Sequence, residues 1–201
     1  MIIGLHGKMG SGKSTVANEL VGVLKDHNIK AEIKSFAKPI YELVSTIFQV
    51  NVEEIKRNKN DVVRPRSFSG LRSYRQLLQN IGMDLRELVD IDIWIDALFG
   101  KGNSKIVSEW TGEVKWWIID DLRFLNELNR IKQMNGQIIK ISRDIQKHRA
   151  LPQDIYENQS ELDLDEVEID DWDLIIDNNA TLDSLTDILN NYITTLINSR
   201  Q

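Results

Sequence analysis

Residues 7–14 read Gly7-Lys8-Met9-Gly10-Ser11-Gly12-Lys13-Ser14, matching G-x-x-x-x-G-K-[ST] at every fixed position. A chance match in a chain of this length is on the order of 1%. The flanks are those the motif needs. Ile2 to His6 is a short apolar run fit for a buried strand, and Val16, Leu20, Val23 and Leu24 follow with helical period. Glycines let such a loop curl until successive N–H groups converge on phosphate oxygens, and the helix amino terminus adds its partial positive charge. The phosphate-binding set is therefore Gly7, Lys8, Met9, Gly10, Ser11, Gly12, Lys13, Ser14 and Thr15. Within it Lys13 reaches β- and γ-phosphates, and the Ser14 hydroxyl is the metal ligand, for Mg²⁺. A strand–loop–helix unit of this kind commits the chain to an α/β fold.

The rest of the pattern extends that unit. Ala31, Ile33 and Ser35 alternate as a second strand, and Pro39 opens a helix to about Phe48. Residues 51–71 are mixed and basic, with Arg64-Pro65-Arg66 and Ser67-Phe68-Ser69-Gly70 reading as loop. Tyr74, Leu77, Leu78, Ile81, Leu85 and Leu88 carry a helix, and another spans about 91–99. A stretch near 100–112 ends in a candidate hairpin at Thr111-Gly112. Trp116 to Ile119 is a strand, about Arg123 to Asn135 a helix stopped by Gly136, and Ile138 to Ile141 a strand. Residues 144–172 are polar, Leu174 to Ile176 is the last strand, and Leu182 to Ile197 the last helix. Strands alternating with helices predict a central parallel sheet covered on both faces, in one domain over 1–201.

Composition removes several chemistries. The chain has no Cys, which excludes disulfides, thiolate metal sites and a thiol nucleophile, and its three histidines (His6, His27, His148) are scattered. No 18-residue apolar stretch is present, so no membrane partner is expected, and the amino terminus lacks a signal-peptide pattern. The expected location is cytoplasmic. The net charge of −6 is unevenly spread. Residues 56–86 hold eight bases against two acids, whereas residues 144–201 hold three bases against fourteen acids. The basic block suits an acceptor phosphate, since two polyanions must approach before a phosphoryl group passes between them. The acidic block argues against nucleic acid as a partner. Its run from Glu161 to Asp173 reads as a solvated segment.

The size, with a basic segment between the second and third core strands, fits a small kinase. Ser35-Phe36-Ala37-Lys38-Pro39, Arg75-x-x-Leu78-Gln79-x-x-Gly82, Trp94, Ile119-Asp120-Asp121-Leu122-Arg123-Phe124-x-Asn126-Glu127, Ser160-Glu161 and Asp177-Asn178 occur in that order. In these motifs the chain resembles the phage-type deoxynucleoside monophosphate kinases over nearly its whole length. Two positions depart from that pattern. Ser14 stands where these enzymes often have Asp, and Asn158-Gln159 stands where a His often precedes the Ser-Glu pair. The resemblance implies the P-loop NTPase fold in three layers, with a helical monophosphate-binding insert (about 36–100) and a lid segment (about 143–172). It also implies ATP and Mg as cofactors, a nucleoside monophosphate as substrate, and host cytoplasm if the source is a phage. A homodimer stays open.

On this reading Lys13, Arg143 and Asp121 are the catalytic set, and Ser35, Phe36, Lys38, Arg75, Gln79, Arg123 and Arg149 the substrate-binding set. Arg75 and Gln79, four apart, project from one helix face, where a guanidinium fork suits a monophosphate and an amide suits a base edge. Phe36 serves either to stack on the base or as core. Asp121 either holds Mg²⁺ through water or caps the next helix, and Arg123 contacts either phosphate or Glu127. Arg143 and Arg149 are the candidate lid arginines. The competing readings are another small-molecule P-loop kinase, resembling dephospho-coenzyme A kinase, and a non-catalytic ATP-sensing binder.

Overall fold

The computed structural model describes residues 1–63, 72–100, 115–144 and 163–199. They fall into two compact units, Met1–Ser35 with Val107–Gln201 and Phe36–Ile106.

The first unit contains a five-stranded parallel sheet: β1 (Ile2–His6), β2 (Lys30–Lys34), β5 (Lys115–Ile119), β6 (Gln137–Ser142) and β7 (Leu174–Asp177) in spatial order 2-5-1-6-7. Every pairing is parallel, with Ile3 opposite Ile118 on one side and Gly4 opposite Ile138 on the other. All five residues of β1 are buried, as its central position requires. Side chains alternate between faces. Ile3, Leu5, Trp116, Ile118, Ile139, Ile141 and Ile176 pack with Val16, Leu20 and Leu24 of α1 (Lys13–Asp26), and with Leu185, Leu189 and Ile193 of α7 (Leu182–Asn198). Each such burial contributes about 1.5–3 kcal/mol, so the strand that leads into the Gly7 loop is firmly fixed. On the opposite face Gly4 lies under α6 (Leu125–Gln133). A Cβ there would stand 2.7 Å from Ile131 Cδ1 and 3.1 Å from Leu122 Cδ2, so the glycine sets how closely this helix approaches.

Helix ends follow local chemistry. Asn28 is left-handed (φ 60°) after α1, and Ile29 N–H returns to Leu24 O at 2.8 Å. At the end of α6 the left-handed residue is Asn135 (φ 53°), whereas Gly136, the expected stop, serves close packing. A Cβ on Gly136 would meet Ile131 Cγ2 at 2.6 Å and Ile2 O at 3.0 Å.

The second unit is helical: α2 (Lys38–Phe48), α3 (Val52–Arg57), α4 (Tyr74–Leu88) and α5 (Ile93–Phe99), with a short antiparallel pair β3 (Val62–Val63) and β4 (Arg72–Ser73). Helix α3 lies in a stretch that sequence reads only as mixed and basic, and the loop read at residues 64–70 lies outside the described residues. Asn51 Oδ1 accepts from Glu53 N–H at 2.7 Å, acids open the helix, bases close it, and Ile55 is buried. Helix α4 starts in a reciprocal cap: Ser73 N–H donates to Gln76 Oε1 and Gln76 N–H to Ser73 Oγ. Val44, Ile55, Tyr74, Leu77 and Leu78 form the core of this unit. The candidate hairpin at Thr111-Gly112 lies outside the described residues.

Candidate phosphate-binding site

Because the five strands are parallel, their carboxyl ends share one edge of the sheet, the edge where open α/β sheets place ligands. Along it lie the Gly7 loop after β1, Ser35 after β2, Asp120-Asp121 after β5, Arg143 after β6 and Asn178 after β7.

The loop is built from backbone. Gly10 and Gly12 take φ +86° and +95°, which L side chains rarely adopt. Gly7 is required for a different reason. A Cβ there would lie 2.5 Å from both Ile141 O and Ser11 Oγ. Ser11 N–H donates to Lys8 O at 3.1 Å, and α1 then begins at Lys13 with no side chain capping its first turn. The Lys13 ammonium folds back over the loop, donating to Gly7 O and, at 3.1 Å, to Lys8 O. Both acceptors are neutral carbonyls, which a phosphate would outcompete for a cation. Ser14 and Thr15 are exposed on the first turn of α1.

Asp121 is joined to Ser35, whose hydroxyl donates to Asp121 Oδ2 at 2.6 Å, so two sequence-predicted residues 86 positions apart do meet. At the start of the next helix buried Glu127 accepts at Oε2 from Arg123 N–H at 2.9 Å and from Phe124 N–H at 3.2 Å. The Arg123–Glu127 relation thus includes a backbone contact. Arg143 stands just past β6 with an exposed side chain, and Arg149 lies outside the described residues.

Beneath the loop sits His6, 4% exposed, its Nδ1–H donating to Leu122 O at 3.1 Å. Its ring stacks on Trp172 at 5.2 Å. Burial pulls its pKa down to about 4; the Leu122 bond opposes that shift, and the Lys13 and Lys140 cations reinforce it.

The acidic run was expected to be a solvated face; from residue 163 onward the structure gives it specific partners. Asp165 pairs with Lys8 of the loop at 2.8 Å, Asp163 accepts from Leu125 N–H at 2.7 Å, and Asp171 pairs with Lys132 at 3.0 Å. Asp173 accepts from Ile138 N–H at 2.7 Å, and Leu164 and Trp172 are buried. Carboxylates that meet helix-start and strand N–H groups are ordinary in composition, so only Leu164 and Trp172 within the run signalled packing.

In the second unit Arg75 and Gln79 are half-buried on α4. Arg75 Nε–H donates to Asn60 Oδ1 at 2.9 Å, and its N–H to Lys59 O at 2.8 Å. Lys38 is exposed and 3.8 Å from Glu42, one helical turn on. Phe36 is 3% exposed and meets Phe99 edge-on at 5.8 Å, so its ring belongs to the core. Gly82 and Trp94 are structural too: Trp94 Nε1–H donates to Gly82 O at 2.9 Å, and a Cβ on Gly82 would press Ile40.

Among the described residues no three His, Asp or Glu side chains gather as a metal site. The donors available to a hard cation are the Ser14 hydroxyl and the Asp121 carboxylate. Both are oxygens, which suits Mg²⁺, an ion that keeps waters and takes few protein ligands beside phosphate oxygens.

No family profile matches the chain. A protein of Acanthamoeba polyphaga mimivirus, named as a deoxynucleotide monophosphate kinase, is 27% identical over 198 residues, covering 91% of each chain. The deoxynucleoside-5'-monophosphate kinase of Escherichia phage T5 is 44% identical over 55 residues, 26% of this chain and 22% of that one. Among solved structures, dephospho-CoA kinase from Campylobacter jejuni aligns over 100% of this chain and 98% of its own, at 15% identity and a TM-score of 0.48. Shikimate kinase from Aquifex aeolicus aligns over the same shares at 18% identity and 0.43. The parallel sheet and the Gly7–Ser14 loop give this chain the P-loop NTPase fold, and its sequence is similar, over nearly its whole length, to a viral protein named as a deoxynucleotide monophosphate kinase.

Proposed function

We propose that the protein transfers the γ-phosphoryl group of ATP to the phosphate of a deoxynucleoside or nucleoside monophosphate, releasing ADP and the diphosphate. The observation that carries this reading is the Gly7–Ser14 loop at the end of the central strand, its lysine folded onto carbonyls that a triphosphate would replace. The similarity to the mimivirus and phage T5 proteins supports the choice of acceptor.

An oxygen of the acceptor phosphate attacks the γ-phosphorus, and the bond to the β–γ bridging oxygen breaks, leaving ADP. Catalysis is positioning and charge neutralisation, with no covalent enzyme intermediate. Lys13 and the loop N–H groups hold the β- and γ-phosphates. Mg²⁺, held by Ser14 with Asp121 available through water, supplies charge neutralisation when bound. Arg75 grips the acceptor phosphate and Gln79 reads the base; Arg123, Arg143 and Arg149 contribute further positive charge toward phosphates. Ser35, hydrogen-bonded to Asp121, orients that carboxylate. Lys38 adds positive charge to the acceptor side. The insert over about 36–100 supplies the acceptor groups, and the segment over about 143–172 closes as a lid that excludes water.

A coupled assay of ADP release over the four deoxynucleoside monophosphates, AMP, UMP and dephospho-CoA tests the reading. Acceleration by at least one monophosphate supports it. ADP release that no monophosphate accelerates, or acceleration by dephospho-CoA alone, overturns it.

A further inference from the structure

The strand farthest from β2 in the sheet reaches back to the phosphate loop. Asn178, the residue after β7, donates from Nδ2 to Ser11 O at 2.9 Å, across 167 positions of sequence. It also lies against Gly12: a Cβ on that glycine would stand 2.2 Å from Asn178 Nδ2. Asn178 is itself held, its N–H donating to Ser142 O at 2.8 Å at the end of β6. The two strand ends are tied again by Ser142 Oγ–H to Ile176 O at 3.3 Å and by Asp144 N–H to Asn179 Oδ1 at 3.0 Å. The amide is therefore presented to the loop from a braced support.

A trans peptide unit is planar, with its C=O and N–H pointing in opposite directions. Whatever fixes the Ser11 carbonyl also fixes the direction of the Gly12 N–H. The glycine at 12, free of side-chain constraint, would otherwise let that peptide rotate. Nothing in the Ser11 side chain prevents it, because the hydroxyl is buried without a hydrogen-bond partner among the described residues. We infer that Asn178 is a positioning residue of the phosphate loop: by holding Ser11 O it turns the Gly12 N–H to the opposite face of the loop, where phosphate binds. This rests on the reading of the loop as an ATP site but not on the choice of acceptor.

The test uses the full chain and two substitutions. Asn178→Asp keeps the shape and replaces the donor with an acceptor facing the Ser11 carbonyl; Asn178→Ala removes the group. Binding of MgATP is measured by calorimetry without acceptor, beside steady-state kinetics and thermal unfolding. Loss of one positioned hydrogen bond is about tenfold in affinity, and the repulsion in Asn178→Asp adds to it. MgATP Kd is expected to rise about tenfold in Asn178→Ala and further in Asn178→Asp, with the KM for monophosphate within twofold and the unfolding midpoint nearly unchanged. An MgATP Kd within twofold of wild type in both variants would overturn the inference. So would a collapse of both variants to unfolded protein, or equal losses for ATP and monophosphate, since either marks a general strut. A wild-type protein that binds MgATP but transfers to no monophosphate would sink the acceptor assignment alone. Unchanged binding in the variants with wild-type turnover intact would sink Asn178 alone.

Discussion

The sheet unit and the helical unit build their candidate sites from different materials. In the sheet unit the phosphate loop is made of backbone. Its donors are N–H groups, its shape comes from two positive-φ glycines and one crowded glycine, and it starts on a strand buried along its whole length. In the helical unit the candidates are side chains, Arg75 and Gln79, half-buried on a helix whose opposite face makes the core. A site made of backbone must be encoded in the residues that permit the backbone, and so it appears in sequence as glycines at fixed spacing. A site made of side chains looks the same in sequence as a polar helix face. The first unit should therefore fail completely when the lysine that reaches the phosphates is removed, and the second should fail partially and selectively.

Lys13→Ala is the strongest test of that contrast. Its ammonium donates to the neutral carbonyls of Gly7 and Lys8 at the edge of the sheet, outside the apolar core, so its loss should leave the fold intact. Transition-state stabilisation by a positioned cation or donor is typically worth 10²–10³ in rate, and turnover should drop by about 10³. Coupled ADP release and circular dichroism on the same sample check both halves. A variant with more than a tenth of wild-type turnover would remove Lys13 from the chemistry.

The second test asks whether the loop depends on the layer beneath it. His6 is buried and its pKa is lowered from 6.5 to about 4, mainly by burial. A histidine that titrates lower folded than unfolded favours the native state when neutral. Stability is therefore full above about pH 6.5, is lost as pH falls through the window from 6.5 to 4, and levels off below it. The whole shift corresponds to about 3 kcal/mol. Glu32 acts lower: held down to about 2 by Lys115 and Lys34, it loses its contribution only below about 4.5. Thermal unfolding between pH 6.5 and 5, compared with a variant that lacks the imidazole, reads His6. The His6→Gln variant should show a flatter profile there; an identical slope in both proteins would refute the assignment.

How much of this was legible in the sequence follows from the same contrast. The inner strands β1 and β5 showed as apolar runs because they are buried on both faces, the edge strand β2 showed only as alternation, and the loop showed as glycines. Ser35 and Asp121 could each be picked out as strand-end residues, but their hydrogen bond depends on β5 lying next to β2, a long-range pairing that periodicity does not encode. Asn178 was visible only as part of a resemblance, since its contact with Ser11 spans nearly the whole chain. The role of Phe36 could not be decided because stacking on a base and packing in a core call for the same residue. The short helix α3 was missed because six residues give too little periodicity, although Asn51 before two acids was its start signal. The acidic run misled for a reason of scale: its charge dominated the average, while the two buried residues that anchor it did not.

Arg75→Ala sharpens the helical side of the comparison. A guanidinium bound to a monophosphate through charge-assisted hydrogen bonds contributes about 1.5–3 kcal/mol, so the monophosphate KM should rise about 10–100-fold. The KM for ATP should stay within twofold, because the loop does not include this residue. Asn60→Ala serves as control, since it removes the partner that Arg75 Nε–H now uses without removing the guanidinium. If both substitutions leave the monophosphate KM unchanged, the Arg75–Asn60 contact is only a structural tie, and the acceptor phosphate is held elsewhere.

The smallest effect belongs to the acidic run. Asp165 and Lys8 are both partly exposed, their side chains 37% and 44% accessible, and an exposed pair of this kind contributes about 0–1 kcal/mol to stability. Asp165→Asn should hardly move the unfolding midpoint. Its consequence for ligand binding has the opposite sign, because the carboxylate both occupies a loop cation and adds negative charge beside an anion site. Removing it should tighten MgATP binding by about two- to fivefold at low salt, and the gain should vanish near 1 M salt, where the screening length is about 3 Å. Calorimetry at two ionic strengths separates the two roles. A large fall in the midpoint with no gain in affinity would make Asp165 a structural strut like Asp173, whose carboxylate accepts from the N–H of Ile138. A salt-sensitive gain at constant stability would show that the acidic segment weakens nucleotide binding at a loop whose own donors are fixed by backbone.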